Sequence, residues 1–184
     1  MDEHELIGFL NDISKKDENA FRQLYDITHK KVFHYLYRMV NNQHMAEDLL
    51  IETYTEVWKT AKNYRSLAKV STWIIGIARN MAMNEFRKNP TKESELDEDT
   101  PFPAHQFIDC KNAEASKILE DALNRLSVKH REVLDLVFLQ GMNYEDVSHI
   151  IQVPVNTVKT RVFYAKENLK RTLTQMGIEK DDLI

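Results

Sequence analysis

The chain has 184 residues, 42% of them hydrophobic, and a formal net charge of −4 at pH 7. That apolar fraction excludes a wholly disordered chain, and the length suits one medium domain or two small ones. No apolar run approaches the roughly 18–20 residues that cross a bilayer, the N-terminus MDEHELIGFL is acidic where a secretory signal is basic, and Cys110 alone supports neither an internal disulfide nor a Cys-based zinc site. A cytoplasmic location is therefore expected.

Only 4 Gly and 4 Pro punctuate the sequence, and long stretches have helical periodicity, so the fold is expected to be all-α. A short amphipathic helix is expected near Glu5–Ile13. A second spans Ala20–Val40, with Phe21, Leu24, Tyr25, Val32, Phe33, Leu36, Met39 and Val40 on its apolar side. In AEDLLIETYTEVWKTA, Ala46, Leu49, Leu50, Thr53, Tyr54, Val57, Trp58 and Ala61 recur at steps of three and four, which makes one buried stripe. Asp48, Glu52 and Glu56 then share the opposite face.

The next segment, YRSLAKVSTW, combines Tyr64 and Trp73 with Arg65, Lys69 and the hydroxyls of Ser66, Ser71 and Thr72. Aromatic faces stack unpaired bases and cationic side chains follow a nucleic-acid backbone, although two aromatics near a helix start also suit a core. A helix over Thr72–Lys88 is predicted, with Ser71 as its N-cap. Trp73, Ile74, Ile77, Ala78, Met81 and Ala82 face inward, and Arg79, Asn80, Asn84, Arg87 and Lys88 face outward.

NPTKESELDEDTPFPAHQFIDCKN (Asn89–Asn112) breaks the pattern with three of the four prolines and a dense acidic run. It reads as a flexible acidic linker, assigned to 91–113, between a lobe at 1–90 and a lobe at 114–184. In the second lobe, helices are expected at Ala115–Leu126, at Val128–Gln140 behind a Ser127 cap and stopped by Gly141, and at Tyr144–Ile151 behind an Asn143 cap.

Gln152-Val153-Pro154 is a tight turn, and Pro154 suits the first position of a new helix. Val155, Val158, Val162, Ala165 and Leu169 fix that helix's buried side, which leaves Asn156, Thr157, Lys159, Thr160, Arg161, Phe163, Tyr164 and Lys166 outside. Within Pro154–Leu173 five bases, Lys159, Arg161, Lys166, Lys170 and Arg171, face one acid, Glu167. Two helices about a short turn, the second tipped with Asn, Thr, Lys and Arg, make a helix-turn-helix whose second helix fits a DNA major groove. An acidic protein thus gathers positive charge where a polyanion sits.

LSVKHREVLDLVFLQGMNYEDVSHIIQVPVNTVKTRVFYAKENL (Leu126–Leu169) resembles the C-terminal DNA-binding region of bacterial sigma factors. MAEDLLIETYTEVWK and TWIIGIARNMAMNEFRK resemble two blocks of the same family's N-terminal region, and with only these two lobes the similar group is the extracytoplasmic-function (ECF) sigma factors. The resemblance implies an N-terminal region 2 bundle that docks on the clamp helices of the β′ subunit of core RNA polymerase and helps melt the −10 element. It implies a C-terminal region 4 that grips the −35 duplex.

By position, Glu47, Asp48, Glu52 and Trp58 belong to the polymerase-binding helix, and Glu56 extends its acidic face. The implied −10 set is Lys31, Tyr64, Arg65, Ser66, Ser71, Trp73, Arg79, Asn80, Asn84, Arg87 and Lys88. The −35 set is Asn156, Thr157, Lys159, Thr160, Arg161, Lys166 and Lys170. An anti-sigma factor is the implied second protein partner, and no cofactor, metal or catalytic residue is expected. Gln152 replaces the family's turn glycine, Asn156 its helix-opening glycine and Thr160 its serine, while Met45 replaces the first acid of the acidic motif.

Other readings exist. A helix-turn-helix regulator would bind promoter duplex without polymerase. A helical-bundle metalloenzyme would need two Glu-x-x-His pairs plus two further Glu, whereas the sequence offers Asp26-x-x-His29, His44-x-x-Glu47 and Asp146-x-x-His149. An interaction-only adaptor would have no use for the basic helix.

Overall fold

The computed structural model of the protein describes residues 2–88 and 113–178. The expected linker, with Cys110, lies outside the described residues except for its last position. The fold is all-α, with no strand among the described residues, and forms two compact helical units.

The first unit comprises α1 (Glu3–Ser14), α2 (Glu18–Val40), α3 (Gln43–Thr60), a 3-10 turn (Ala61–Asn63) and α4 (Val70–Lys88). The start of α2 is set by Asp17, whose Oδ1 accepts from the N–H groups of Asn19 and Ala20 at 2.8 and 3.0 Å. Two of the unpaired donors at the helix end are thereby satisfied, so α2 begins before the expected Ala20. Asn41 ends α2 in the left-handed conformation (φ 47°), and Asn42 Oδ1 opens α3 by accepting from Met45 N–H at 3.0 Å.

The long α2 packs against α1, α3 and α4. Leu10, Ile13, Leu24, Leu36, Val57, Val70 and Ile74 are fully buried there, and each such side chain contributes about 1.5–3 kcal/mol of burial. Trp58 is only half-buried. Its ring lies edge-on to Phe21 at 5.3 Å, and Lys16 Nζ sits 4.9 Å over it while donating to the Trp58 carbonyl. A cation at the last turn of α3 is favourable to the carbonyls exposed there, so Trp58 joins the α1–α2 turn to α3 rather than filling the core.

In α4 the expected N-cap is displaced. The helix starts at Val70, the Lys69 carbonyl takes the first helical hydrogen bond from Trp73 N–H at 2.9 Å, and Ser71 lies inside the helix. Ile75 and Phe86 are buried in addition to the expected Ile74, Ala78 and Ala82, whereas Trp73, Ile77 and Met81 are half-buried.

The second unit contains α5 (Ala113–Asn124), α6 (Val128–Leu134), the first part of α7 (Tyr144–Ile151) and α8 (Val155–Gln175). Beyond Leu134, α6 continues as a π-helical turn over Asp135–Leu139. The expected α-helix to Gln140 therefore changes ladder partway. Gln140 N–H reaches back five residues to Asp135 O at 2.9 Å, and Phe138 and Leu139 turn to solvent. Gly141 (φ 69°) reverses the chain, and Met142 N–H returns to Leu136 O at 3.0 Å. A left-handed glycine after a helix needs no Cβ accommodation.

Ser127 precedes α6, but its side chain makes no cap bond. Asn143 does cap α7, since its Oδ1 accepts from Asp146 N–H at 2.7 Å, and α7 has the expected bounds. Pro154 stands at the N-cap of α8, one place earlier than expected. Val133, Leu136, Val147, Val158 and Ala165 form the core of this unit. No helix among the described residues is long and apolar enough to cross a membrane.

Candidate nucleic-acid interface

The turn between α7 and α8 is closed by Ser148, whose Oγ donates to Val153 O at 2.6 Å while Val153 N–H returns to Ser148 O at 3.3 Å. Gln152 takes the left-handed conformation there (φ 58°), a position glycine tolerates best. This turn fixes the direction in which α8 leaves. The apolar stripe Val158, Val162 and Ala165 is buried, as its spacing requires, while Val155 and Leu169 are half-buried.

Asn156, Thr157, Lys159, Thr160, Lys166 and Lys170 are all exposed, and Arg161 is half-buried. Glu167 is the only acid on α8. Thr160 Oγ1 donates to Asn156 O at 3.0 Å, which leaves its lone pairs to accept from outside. Lys166 Nζ stands 5.6 Å from the Phe138 ring centre. Arg171 donates to Asn168 Oδ1 at 3.1 Å, and Asn168 in turn contacts His130 Nδ1 at 3.1 Å, so this guanidinium is tied to its own unit.

Two aromatics extend the expected set. Phe163 is 61% exposed and Tyr164 56% exposed, with rings edge-on at 5.5 Å. Helical phase alone puts them outside; what the sequence does not supply is a reason to count apolar rings as contacts.

The first unit holds a different arrangement. Tyr64 and Trp73 are brought together, their ring centres 5.4 Å apart, although nine positions separate them in the chain. Between them the loop bends through Ser66 (φ 55°), and Tyr64 Oη donates to Ala68 O at 2.6 Å. Burial pushes the Tyr64 hydroxyl pKa up and the charge of Glu3 adds to that, against the lowering effect of a hydrogen bond with Ser66. Arg65, Ser66 and Leu67 project from the bend, with Leu67 86% exposed.

Ser71 and Trp73 are half-buried on the first turn of α4. Asn80, Asn84 and Arg87 follow as one exposed stripe at i, i+4 and i+7, and Arg87 donates to Asn84 Oδ1 at 3.3 Å. Lys88 is exposed and lies 3.7 Å from Glu85, while Arg79 is half-buried and engaged in contacts of its own. Lys31 is exposed on α2, a separate element from this loop.

On α3, Glu47, Asp48 and Glu52 are exposed and Glu56 is half-buried. Gln43 Nε2 donates to Glu47 Oε1 at 2.9 Å, which orders the first turn of that face. Ile51 sits among these acids with 67% of its surface exposed, a feature the acid spacing alone did not flag. Of the metal-ligand pairs considered from sequence, His29 Nδ1 is engaged with Tyr25 O at 2.9 Å, and no group of three or more His, Cys, Asp or Glu suited to a metal occurs among the described residues.

The family pattern Sigma-70 region 2 matches residues 24–90, and Sigma-70, region 4 matches residues 116–169. The chain is 26% identical over 182 residues to the ECF RNA polymerase sigma factor SigW of Bacillus subtilis, covering 91% of this chain and 96% of that protein. It is 29% identical over 157 residues to SigM of the same organism, covering 80% and 91%. The sigma factor RpoE of Bartonella quintana, solved with the anti-sigma factor NepR, shares the fold at a TM-score of 0.71 and 23% identity, covering 84% of this chain and 96% of RpoE. Both lobes, in the same order, thus have their counterparts, and the chain belongs to the ECF group of RNA polymerase sigma factors, transcription initiation factors.

Proposed function

We propose that the lobe at 1–90 carries core-polymerase docking and −10 melting, that the lobe at 114–184 reads the −35 duplex, and that residues 91–113 tether them. The observation that carries this reading is the outer face of α8, where Asn156, Thr157, Lys159 and Thr160 stand exposed at the helix start and Lys166 and Lys170 follow with only Glu167 opposed. The first turns of such a helix reach base edges, and the later lysines reach phosphates. Phe163 supplies apolar contact to a base.

On α3 the acidic face of Glu47, Asp48, Glu52 and Glu56 steers toward the clamp helices of the β′ subunit, and Ile51 supplies the apolar centre of that contact. The −10 strand is received by Tyr64, Arg65, Ser66, Ser71 and Trp73, with Lys31, Arg79, Asn80, Asn84, Arg87 and Lys88 along its backbone. Extruding a base costs a few kcal/mol, which stacking against fixed rings offsets. This assignment gives the chain no catalytic residue, places it in the cytoplasm with the polymerase, and gives it an anti-sigma factor as inhibitor. RpoE's complex with NepR supports the last point.

Run-off transcription with core polymerase on a promoter library tests the proposal and yields the promoter motif. Gel shifts with and without core enzyme distinguish it from a polymerase-independent regulator. Specific duplex binding by the chain alone, with no transcription on adding core, would overturn it.

A further inference from the structure

The N-terminus of α4 has a cap that its own neighbourhood cannot supply. Lys69 occupies the N-cap position, because its carbonyl takes the first helical bond, from Trp73 N–H. A lysine side chain carries donors only, so it cannot satisfy the free N–H groups that open a helix. The acceptor comes instead from 67 residues earlier: Glu3 Oε1, on the first turn of α1, receives the Val70 N–H at 2.6 Å. The negative carboxylate also lies at the positive end of the α4 dipole. Glu3 is half-buried, and its charge is felt by the Tyr64 hydroxyl, on the other end of the same loop.

The loop Tyr64–Lys69 is therefore held at three points. Tyr64 Oη closes it on Ala68 O, the Tyr64 ring meets Trp73, and Glu3 pins the residue that follows Lys69. The first two contacts are local, so they move with the loop if the start of α4 frays. Of the three, the Glu3 contact ties the loop to a separate helix, α1, which itself packs on the 3-10 turn leading into Tyr64. Glu5, in the same turn of α1, is exposed and has no such contact, so the role belongs to one acid of the acidic N-terminus.

We propose that Glu3 is a positioning residue for promoter opening: its carboxylate, delivered by α1, caps α4 and so keeps Tyr64 and Trp73 in the arrangement that receives an extruded base. The proposal rests on the −10 reading given above. It assigns a function to the N-terminal helix, which precedes the residues matched to Sigma-70 region 2. Glu3 itself does not touch DNA in this scheme, since its charge is committed to the helix end behind the loop.

The test uses the full chain with Glu3→Ala, Glu3→Gln and, as control, Glu5→Ala. Hydrogen exchange at Val70 and across 64–69 is read first. Glu3→Ala is expected to accelerate exchange roughly five- to tenfold, the effect of losing a cap, while amides of 75–86 keep their protection. Glu3→Gln, whose amide oxygen still accepts, restores most of it, and Glu5→Ala changes nothing.

The second arm uses core polymerase and a promoter selected by wild-type run-off transcription, with permanganate reactivity of −10 thymines as the readout. Glu3→Ala is expected to lose strand opening several-fold at unchanged affinity for core enzyme. Unchanged exchange at Val70 would overturn the clasp, whatever the DNA result. Faster exchange with wild-type opening, or opening lost only in step with core binding, would overturn the positioning role. A wild-type protein that opens no promoter would overturn the −10 reading itself, and exchange at Val70 would separate that failure from failure of the clasp.

Discussion

Thr28 on α2 and Tyr54 on α3 share a buried hydrogen bond of 2.5 Å, and its direction can be assigned. Thr28 Oγ1 already gives its one proton to Leu24 O at 2.6 Å. The Tyr54 hydroxyl is therefore the donor and Thr28 Oγ1 the acceptor, which requires a neutral phenol. Burial raises the Tyr54 pKa far above the ordinary phenol value of 10.0. The folded state thus binds this proton more tightly than the unfolded chain does. The contribution is fully present below pH 10 and is lost as pH rises from there toward the folded pKa, at up to about 1.4 kcal/mol per pH unit.

Tyr54→Phe should accordingly cost about 1 kcal/mol at neutral pH and remove that alkaline slope. Thermal melts of both proteins between pH 8 and 11 check it. Parallel slopes would show that Tyr54 does not carry the effect.

Gln152 occupies a left-handed backbone position in the turn before α8. Gln152→Gly should relieve about 0.5–1 kcal/mol of strain, less what the freer unfolded chain takes back. The expected result is a raised melting midpoint with DNA selectivity unchanged. A lowered midpoint would mean that the Gln152 side chain makes contacts worth more than the backbone strain.

Lys159 is exposed on α8 and makes no salt bridge with Glu167, which lies two turns further along. If it contacts one phosphate, Lys159→Ala lowers the magnitude of the log–log salt slope of promoter binding by about one. The slope is measured with the polymerase holoenzyme over a series of salt concentrations. An unchanged slope with weaker binding would assign Lys159 to a base edge instead.

Ile51 stands exposed among carboxylates on α3. Ile51→Ser should weaken binding to core polymerase about tenfold, since an apolar side chain at the centre of an interface is worth more than charges at its rim. The thermal midpoint should stay within about 1 °C, because an exposed substitution changes stability little. Binding titrations with labelled chain and core enzyme decide it.

Much of this structure was legible in the sequence where local chemistry and apolar spacing coincide. Tyr144–Ile151 came out with its bounds intact because Asn143, Gly141 and the spacing of Val147 and Ile150 agree. The outward set on α8 followed from five apolar positions. At the start of α4, Ser71 is the best local cap residue, but the actual acceptor, Glu3, is remote in sequence. The π turn leaves no mark in the sequence, because a change from four- to five-residue hydrogen bonds alters no residue type. Periodicity places Trp58 on the inner face but does not give its depth of burial, and Lys16 covers part of its ring.

The extra residue accommodated at Asp135–Leu139 has a consequence for how this lobe tolerates insertions and deletions. A regular ladder through that stretch would need one residue fewer, and each residue advances a helix by about 100°. Deleting Phe138 would therefore let α6 run on as a plain α-helix with Gly141 still reaching the reversal near its present phase, whereas deleting a residue from the regular turns before Asp135 would rotate everything after it by about 100°. The π turn at Asp135–Leu139 thus marks a place where this lobe can lose one residue while Gly141 keeps its position before α7 and α8.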